Sequence, residues 1–241
     1  TYLLCGRAWA YRYVEKAPAP TAPALTFGSA WHDAVETYVT KGGDLQTMWG
    51  AAWDRQLEKE SCIEWGTENP DDARADGLRM AASKSVLALL DTLRAAHNPE
   101  TCTTETRVEL GVPGVPIPVI SYIDYIGADG VPCDFKTAAR MWTEDKAEEE
   151  MQPLFYLAAL NQAGRNEHAW RFRHYVFSKT QRPEAKCFEV TRRPSEAFWL
   201  FEMIQAAWRG IEAGVYPMNP STWKCSPKYC EYWPLCRGRY A

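Results

Sequence analysis

The sequence predicts an α/β fold built on one mixed β-sheet. Three observations carry that expectation. The hydrophobic periodicity reads as helices first, then three strands, a helix, two strands and a last helix. The chain has 241 residues, 46% of them hydrophobic and 24% charged, which suffices to bury a core and excludes a disordered chain. Asp129-Gly130 stands between two β-rich runs, a strong hairpin signal near the middle of the chain.

The elements follow in order. Residues 1–14 carry Leu3, Leu4, Ala8, Trp9 and Tyr11 at helical spacing. Residues 17–24 are a Pro-rich connector without regular structure. Residues 29–41 read as a helix with Ser29 as N-cap and Gly42-Gly43 as its stop. Helical stretches follow at 44–60 and 72–97. From Asp54 to Asp76 eight carboxylates face three basic residues, so this face turns away from any polyanion. Residues 105–110, 117–127 and 131–137 read as strands, 147–163 as a helix, 169–178 and 185–191 as strands. Residues 195–213 form an amphipathic helix closed by Gly214.

No run approaches the length of a membrane-spanning helix, and the N-terminus shows no signal-peptide pattern, so a cytoplasmic protein with reduced thiols is expected. The formal net charge of −4 excludes a molecule-wide basic field, so a polyanion would be held by local patches. Four of the eight cysteines, Cys62, Cys102, Cys133 and Cys187, are isolated and read as small buried hydrophobes. Cys225, Cys230 and Cys236 crowd into a short segment that Pro227 and Pro234 keep irregular. Three thiols leave a four-ligand site one short, and Cys5 is the natural fourth. Such a set suits zinc or an iron–sulfur cluster, and the spacing does not choose between them.

The chemistry concentrates in the hairpin. Asp134 and Lys136 are two apart on one strand and share a face. A three-residue loop, 128–130, with Gly130 as its left-handed residue, sets Gly127 against Val131, Asp124 against Asp134 and Tyr122 against Lys136. Facing carboxylates repel, and a divalent metal on oxygen ligands relieves them. An Asp–Lys ion pair on an exposed hairpin, with Asp124 solvated, is the other reading. Phe135 and Ile123 read as the buried side of this hairpin. On the helix 29–41, His32 and Glu36 lie together at the margin of the apolar face, either aimed at a cleft or bonded to each other. Gln152 and Tyr156 make a second i, i+4 pair.

The order His32, Asp124, Asp134-Phe135-Lys136-Thr137, Gln152-x-x-x-Tyr156, framed by Cys5 and Cys225/Cys230/Cys236, resembles the PD-(D/E)XK nuclease superfamily. Within it, the pattern is similar to the RecB-like exonuclease branch that carries an iron–sulfur cluster, which includes the AddB nuclease domain and CRISPR-associated RecB-like exonucleases. The resemblance runs from Cys5 to Cys236. It implies a restriction-endonuclease-like core over 26–215, with 1–16 and 217–241 as cluster-binding terminal segments of a single nuclease domain, 1–241. It implies that His32, Asp124, Asp134 and the Phe135 carbonyl hold Mg²⁺ or Mn²⁺, and that Lys136 positions the attacking water. Gln152 and Tyr156 match the branch's fourth motif, and Glu36 and Glu105 are further candidates. Cys5, Cys225, Cys230 and Cys236 would hold a [4Fe-4S] cluster, with zinc as the alternative. Ser121, Gly6 and the four-residue gap between Cys225 and Cys230 depart from the branch's pattern.

The implied activity is metal-assisted phosphodiester hydrolysis by a DNA exonuclease that favours single-stranded ends, in recombination, repair or DNA processing, with a helicase or recombination protein as partner. Basic and aromatic residues that would hold DNA are Arg7, Arg12, Arg171, Arg173, Arg192, Arg193, Lys228 and Tyr232, with Tyr229 and Trp233 beside them. A non-catalytic DNA-binding subunit and a structure- or sequence-specific endonuclease are the competing readings.

Overall fold

A computed structural model describes residues 2–240; Thr1 and Ala241, the outermost residues of the expected terminal segments, lie outside the described residues. The elements are α1 (Gly6–Tyr13), α2 (Pro23–Lys41), α3 (Leu45–Lys59), α4 (Pro70–Ala81), α5 (Lys84–Ala96), β1 (Thr103–Leu110), β2 (Val119–Ile126), β3 (Pro132–Ala138), α6 (Glu144–Glu149), α7 (Gln152–Gln162), β4 (Arg171–Ser178), β5 (Ala185–Thr191) and α8 (Glu196–Glu212), followed by a 3₁₀ turn at Arg237–Tyr240.

Three helix boundaries depart from expectation, each for a local reason. Ser29 is not an N-cap: α2 starts at Pro23, inside the Pro-rich connector, because a proline is pre-set for the first helical turn. Thr26 and Phe27 extend its buried face. The stretch 72–97 is two helices that break at Ala82-Ser83, where Ser83 Oγ donates to the Pro183 carbonyl at 2.6 Å. The stretch 147–163 is likewise two, α6 and α7, since Pro153 needs a fresh helix start and Glu150 is extended.

The sheet has the order β1-β2-β3-β4-β5, with β3 and β4 parallel and the other neighbours antiparallel. The parallel pair is joined by a crossover through α6 and α7. One face is covered by α2 to α5, whose core includes Trp31, Trp49 and Trp53 packed with Tyr125, Cys133, Phe135, Tyr175 and Phe177 from the strands. The other is covered by α7 and α8, which bury Val108, Leu110, Ile123, Ile126, Phe172, Val176 and Phe188. Phe135 and Ile123 therefore lie on opposite faces, not on one buried side as expected: the hairpin is covered from both sides.

The 128–130 loop is as the sequence predicts. Tyr125 pairs with Cys133 and Ile126 with Pro132, and Gly127 N–H donates to the Val131 carbonyl at 3.2 Å. Gly130 has φ +71°, and a Cβ there would stand 2.6 Å from the Glu167 Cβ, so both conformation and space require glycine.

Candidate active site

The site forms where β2 and β3 part. Their ladder stops at Tyr125↔Cys133, so Asp124 and Tyr122 do not continue as paired partners of Asp134 and Lys136. Instead the Asp124 side chain replaces the ladder: its Oδ2 accepts from the Phe135 N–H at 2.7 Å. The β1–β2 register also skips one pair, Glu105 and Asp124. Glu105 has φ +45°, an uncommon conformation for a side chain of this kind and a local strain next to the carboxylates. Across this break β2 changes parity. Ile123 packs under α7, whereas Tyr125, two residues on, packs under α2.

Three elements converge on the fork. From α2, His32 Nδ1 approaches Asp124 Oδ2 to 3.5 Å, from the margin of the buried face, as its helical position predicts. From β3, Asp134 is almost wholly buried, and Lys136 Nζ stands 2.9 Å from each of its oxygens. Only Oδ1 receives a well-directed hydrogen bond; Oδ2 is buried without one among the described residues. From α7, Gln152 Nε2 donates to Tyr156 Oη at 2.7 Å, and Tyr156 O–H donates to the Tyr122 carbonyl at 2.7 Å. Tyr156 is buried, so this pair pins β2 at the fork rather than presenting a phenol to solvent.

Burial and the neighbouring Asp134 push the Asp124 carboxyl up to about 8. Burial lowers the His32 pKa, with Asp134 opposing the shift. Burial and Glu36 raise the Glu105 carboxyl, which sets α2 and β1 acids beside each other. Two carboxylates in a desolvated fork, one with a buried oxygen that accepts no hydrogen bond among the described residues, form a donor set that suits a hard divalent cation such as Mg²⁺ or Mn²⁺. Among the described residues, no three His, Cys, Asp or Glu side chains converge closely enough to ligate an ion as they stand.

Sequence reasoning missed His174. It is the β4 register partner of Asp134 and is fully buried, and neither ring nitrogen has a partner among the described residues. Burial lowers its pKa to about 4. Strand parity was readable in the sequence, but the parallel neighbour of β3 was not.

Cys5, Cys225, Cys230 and Cys236 line one cavity with Arg7, Tyr11 and Tyr232, and all four are free thiols. Burial raises the Cys230 thiol pKa. Tyr232 is 2% exposed and stacks on Tyr11, so, against expectation, its ring is not free for a base. Arg7 stacks over Tyr11 and pairs with Glu15 at 2.8 Å. Burial lowers the Arg12 pKa, but Tyr232 and Glu231 outweigh it, leaving a net rise. Arg173 is tied to Asp129 at 2.7 Å and to Glu189 at 2.8 Å, with Arg171 also near Glu189, so both arginines brace strands. Lys228 lies over the Tyr229 ring, which is half exposed. Arg192 donates to the Glu148 and Glu150 carbonyls at the α6 C-terminus. No helix of the described residues is long and apolar enough to cross a membrane.

The chain matches the model of the PD-(D/E)XK nuclease superfamily over residues 1–237. A solved structure from Eubacterium rectale, described as a candidate exonuclease, aligns over 97% of this chain and 86% of its own at 13% identity, with a TM-score of 0.59. A second solved structure, SSO0001, aligns over 98% of this chain and 94% of its own at 14% identity, with a TM-score of 0.40. No curated protein matches.

Proposed function

The chain belongs to the PD-(D/E)XK nuclease superfamily, and from that premise we propose that it is a Mg²⁺- or Mn²⁺-dependent exonuclease acting on DNA with single-stranded ends. The observation that carries this reading is the fork. Asp124, Asp134 and Lys136 meet in a buried setting, with Asp124 fixed by the Phe135 N–H and one Asp134 oxygen without a hydrogen bond among the described residues.

When bound there, a divalent cation stabilises the charge that develops on the phosphate and eases deprotonation of the attacking water. The chain's own residues do the rest. Asp124 and Asp134, with His32 and the Phe135 carbonyl, would hold the cation. Lys136, anchored on Asp134, extends to the more open end of the fork, where its ammonium orients a water and faces the developing negative charge. Gln152 and Tyr156 keep β2 parted from β3 by holding the Tyr122 carbonyl. Glu36 and Glu105 are placed to tune the same pocket.

Cys5, Cys225, Cys230 and Cys236 hold a [4Fe-4S] cluster in this reading, supported by their shared cavity and by the thiolate chemistry such clusters use. Visible absorbance with stoichiometric iron is expected; a colourless protein with one zinc would replace the cluster with a zinc site. A helicase or recombination protein is the partner class in this reading.

The test is digestion of single-stranded DNA, labelled at either end, by anaerobically purified protein in Mn²⁺, Mg²⁺ or EDTA, with Lys136→Ala alongside. Metal-dependent ladders lost in the variant support the reading. DNA that is bound but uncut in every metal would assign a non-catalytic subunit instead, and discrete fragments from a supercoiled plasmid would assign an endonuclease.

A further inference from the structure

The hairpin β1–β2 has one covered and one bare face. Val108, Leu110 and Ile123 point to the α7 side and are buried. The alternate positions point the other way, towards the side from which α2 brings His32. There Ile120 and Tyr122 are 49% and 53% exposed, and their register partners are Glu109 and Arg107. Asp124 is two residues beyond Tyr122, at the point where the ladder breaks, and meets His32, so the bare face ends at the fork.

Charge along this face selects what can lie on it. Arg107 is paired with Glu109, and Glu36 and Glu105 stand beside His32. A phosphate finds no free cation on the ribbon. What the ribbon offers is an uncharged aromatic ring. The strand that carries it is held in place: the Tyr122 carbonyl accepts from Tyr156, which Gln152 holds in turn. An exposed tyrosine on a pinned strand, two residues from Asp124, presents an aromatic surface beside the carboxylates.

We infer that Tyr122 is a stacking platform for an unpaired nucleobase next to the scissile phosphate, with Ile120 extending the apolar surface behind it. This rests on the nuclease reading and adds to it the reason for a single-strand preference. In a duplex each interior base has both faces occupied by its neighbours, so the Tyr122 ring can engage only a base that has left the stack. Tyr122 is a substrate-positioning residue and takes no part in the proton or phosphoryl chemistry.

The experiment compares wild type, Tyr122→Ala and Tyr122→Trp on a single-stranded oligonucleotide and on a blunt duplex of the same sequence, in Mn²⁺. Tyr122→Ala should raise KM for the single strand about tenfold, the scale of losing one base–aromatic stack. It should leave kcat within about twofold and barely alter the duplex reaction, while Tyr122→Trp restores the single-strand KM. A second readout uses a single strand carrying 2-aminopurine near its end, titrated in EDTA. Wild type and Tyr122→Trp should quench its fluorescence on binding, and Tyr122→Ala should not. Equal KM and equal quenching in wild type and Tyr122→Ala would overturn the platform while leaving the nuclease intact. A wild-type protein that cuts neither substrate would overturn the nuclease reading itself, and the quenching comparison would still decide whether Tyr122 meets a base. Near-identical circular dichroism and melting of the variants are expected, because the side chain is half exposed.

Discussion

Two regions of this protein gather polar side chains from distant parts of the chain, and they are held together differently. The fork between β2 and β3 is framed by the sheet and by buried rings on both faces, Phe135 and Tyr175 on one, Tyr156 and Phe172 on the other. Its groups keep their places through backbone: a ladder that ends at Tyr125↔Cys133 and an N–H that fixes Asp124. The four-cysteine corner has no such frame. Its buried apolar core is Ala8, Tyr11 and Tyr232, and its C-terminal side is a succession of turns. The two ends of the chain are tied there by single contacts, Tyr11 O–H to the Leu235 carbonyl at 2.9 Å, Asn219 Nδ2 to the Leu4 carbonyl at 3.1 Å and Arg7 N–H to the Pro217 carbonyl at 3.2 Å. On the proposed reading, the fork is a site whose groups the sheet sets in place, and the corner is one that a ligand would help to build.

The largest effect that sharpens this contrast is functional. Lys136→Ala should lower DNA cleavage by about 10²–10³-fold, the scale of losing one preorganised charged donor. The far-ultraviolet circular dichroism should stay unchanged, since the strands hold the fork. A matching loss of folded structure would show that the fork, too, depends on its side chains.

The second is the pH dependence of the metal-free protein. The Asp124 carboxyl is raised by burial and by Asp134 to about 8, from an ordinary value near 4. The folded form therefore holds a proton that the unfolded chain has released. The stability this provides is complete below about pH 4 and is lost as pH rises through about 8, at roughly 1 kcal/mol per pH unit. Urea melts in EDTA between pH 5 and 8.5 should show that slope. Asp124→Asn should flatten it, and Mn²⁺ should offset it most at the alkaline end.

The third concerns the corner. Cys230→Ser should expose residues 2–13 and 217–240 to limited proteolysis while the sheet core stays resistant, with a fall in Tm of about 2–4 °C for each kcal/mol lost. Stripping iron or zinc from wild type should reproduce that pattern. A cooperative collapse of the whole chain would instead make the corner part of the core. The smallest is Tyr11→Phe, which removes the bond to Leu235 and should cost about 1 kcal/mol, read in the same proteolysis assay as faster nicking of the tail.

Much of this architecture was legible in the sequence. Periodicity and turn chemistry placed the strands to within a few residues, and Gly130 in its left-handed conformation set the 128–130 loop and the Tyr125↔Cys133 register. Helix geometry put His32 at the margin of α2 and made Gln152 and Tyr156 neighbours. These are local properties, fixed by residues a few positions apart. The boundaries that went astray at Ser29 and at Glu150 lie where a proline can start a helix or interrupt one, and the one at Ala82-Ser83 lies where Ser83 Oγ finds the distant Pro183 carbonyl; only packing decides them.

Tertiary structure decided the rest. The β1–β2 ladder skips Glu105 and Asp124 where the β2–β3 pairing also ends, and there Asp124 turns to the Phe135 N–H. Tertiary structure also decided that Tyr232 is buried against Tyr11 while Tyr122 is left open, and that His174 lies beside Asp134. The physical reason is common to all three. Residue type and spacing fix what a side chain can do and which way its own element aims it. Which other element comes to lie against it depends on contacts between positions far apart in the chain, and no local pattern encodes those.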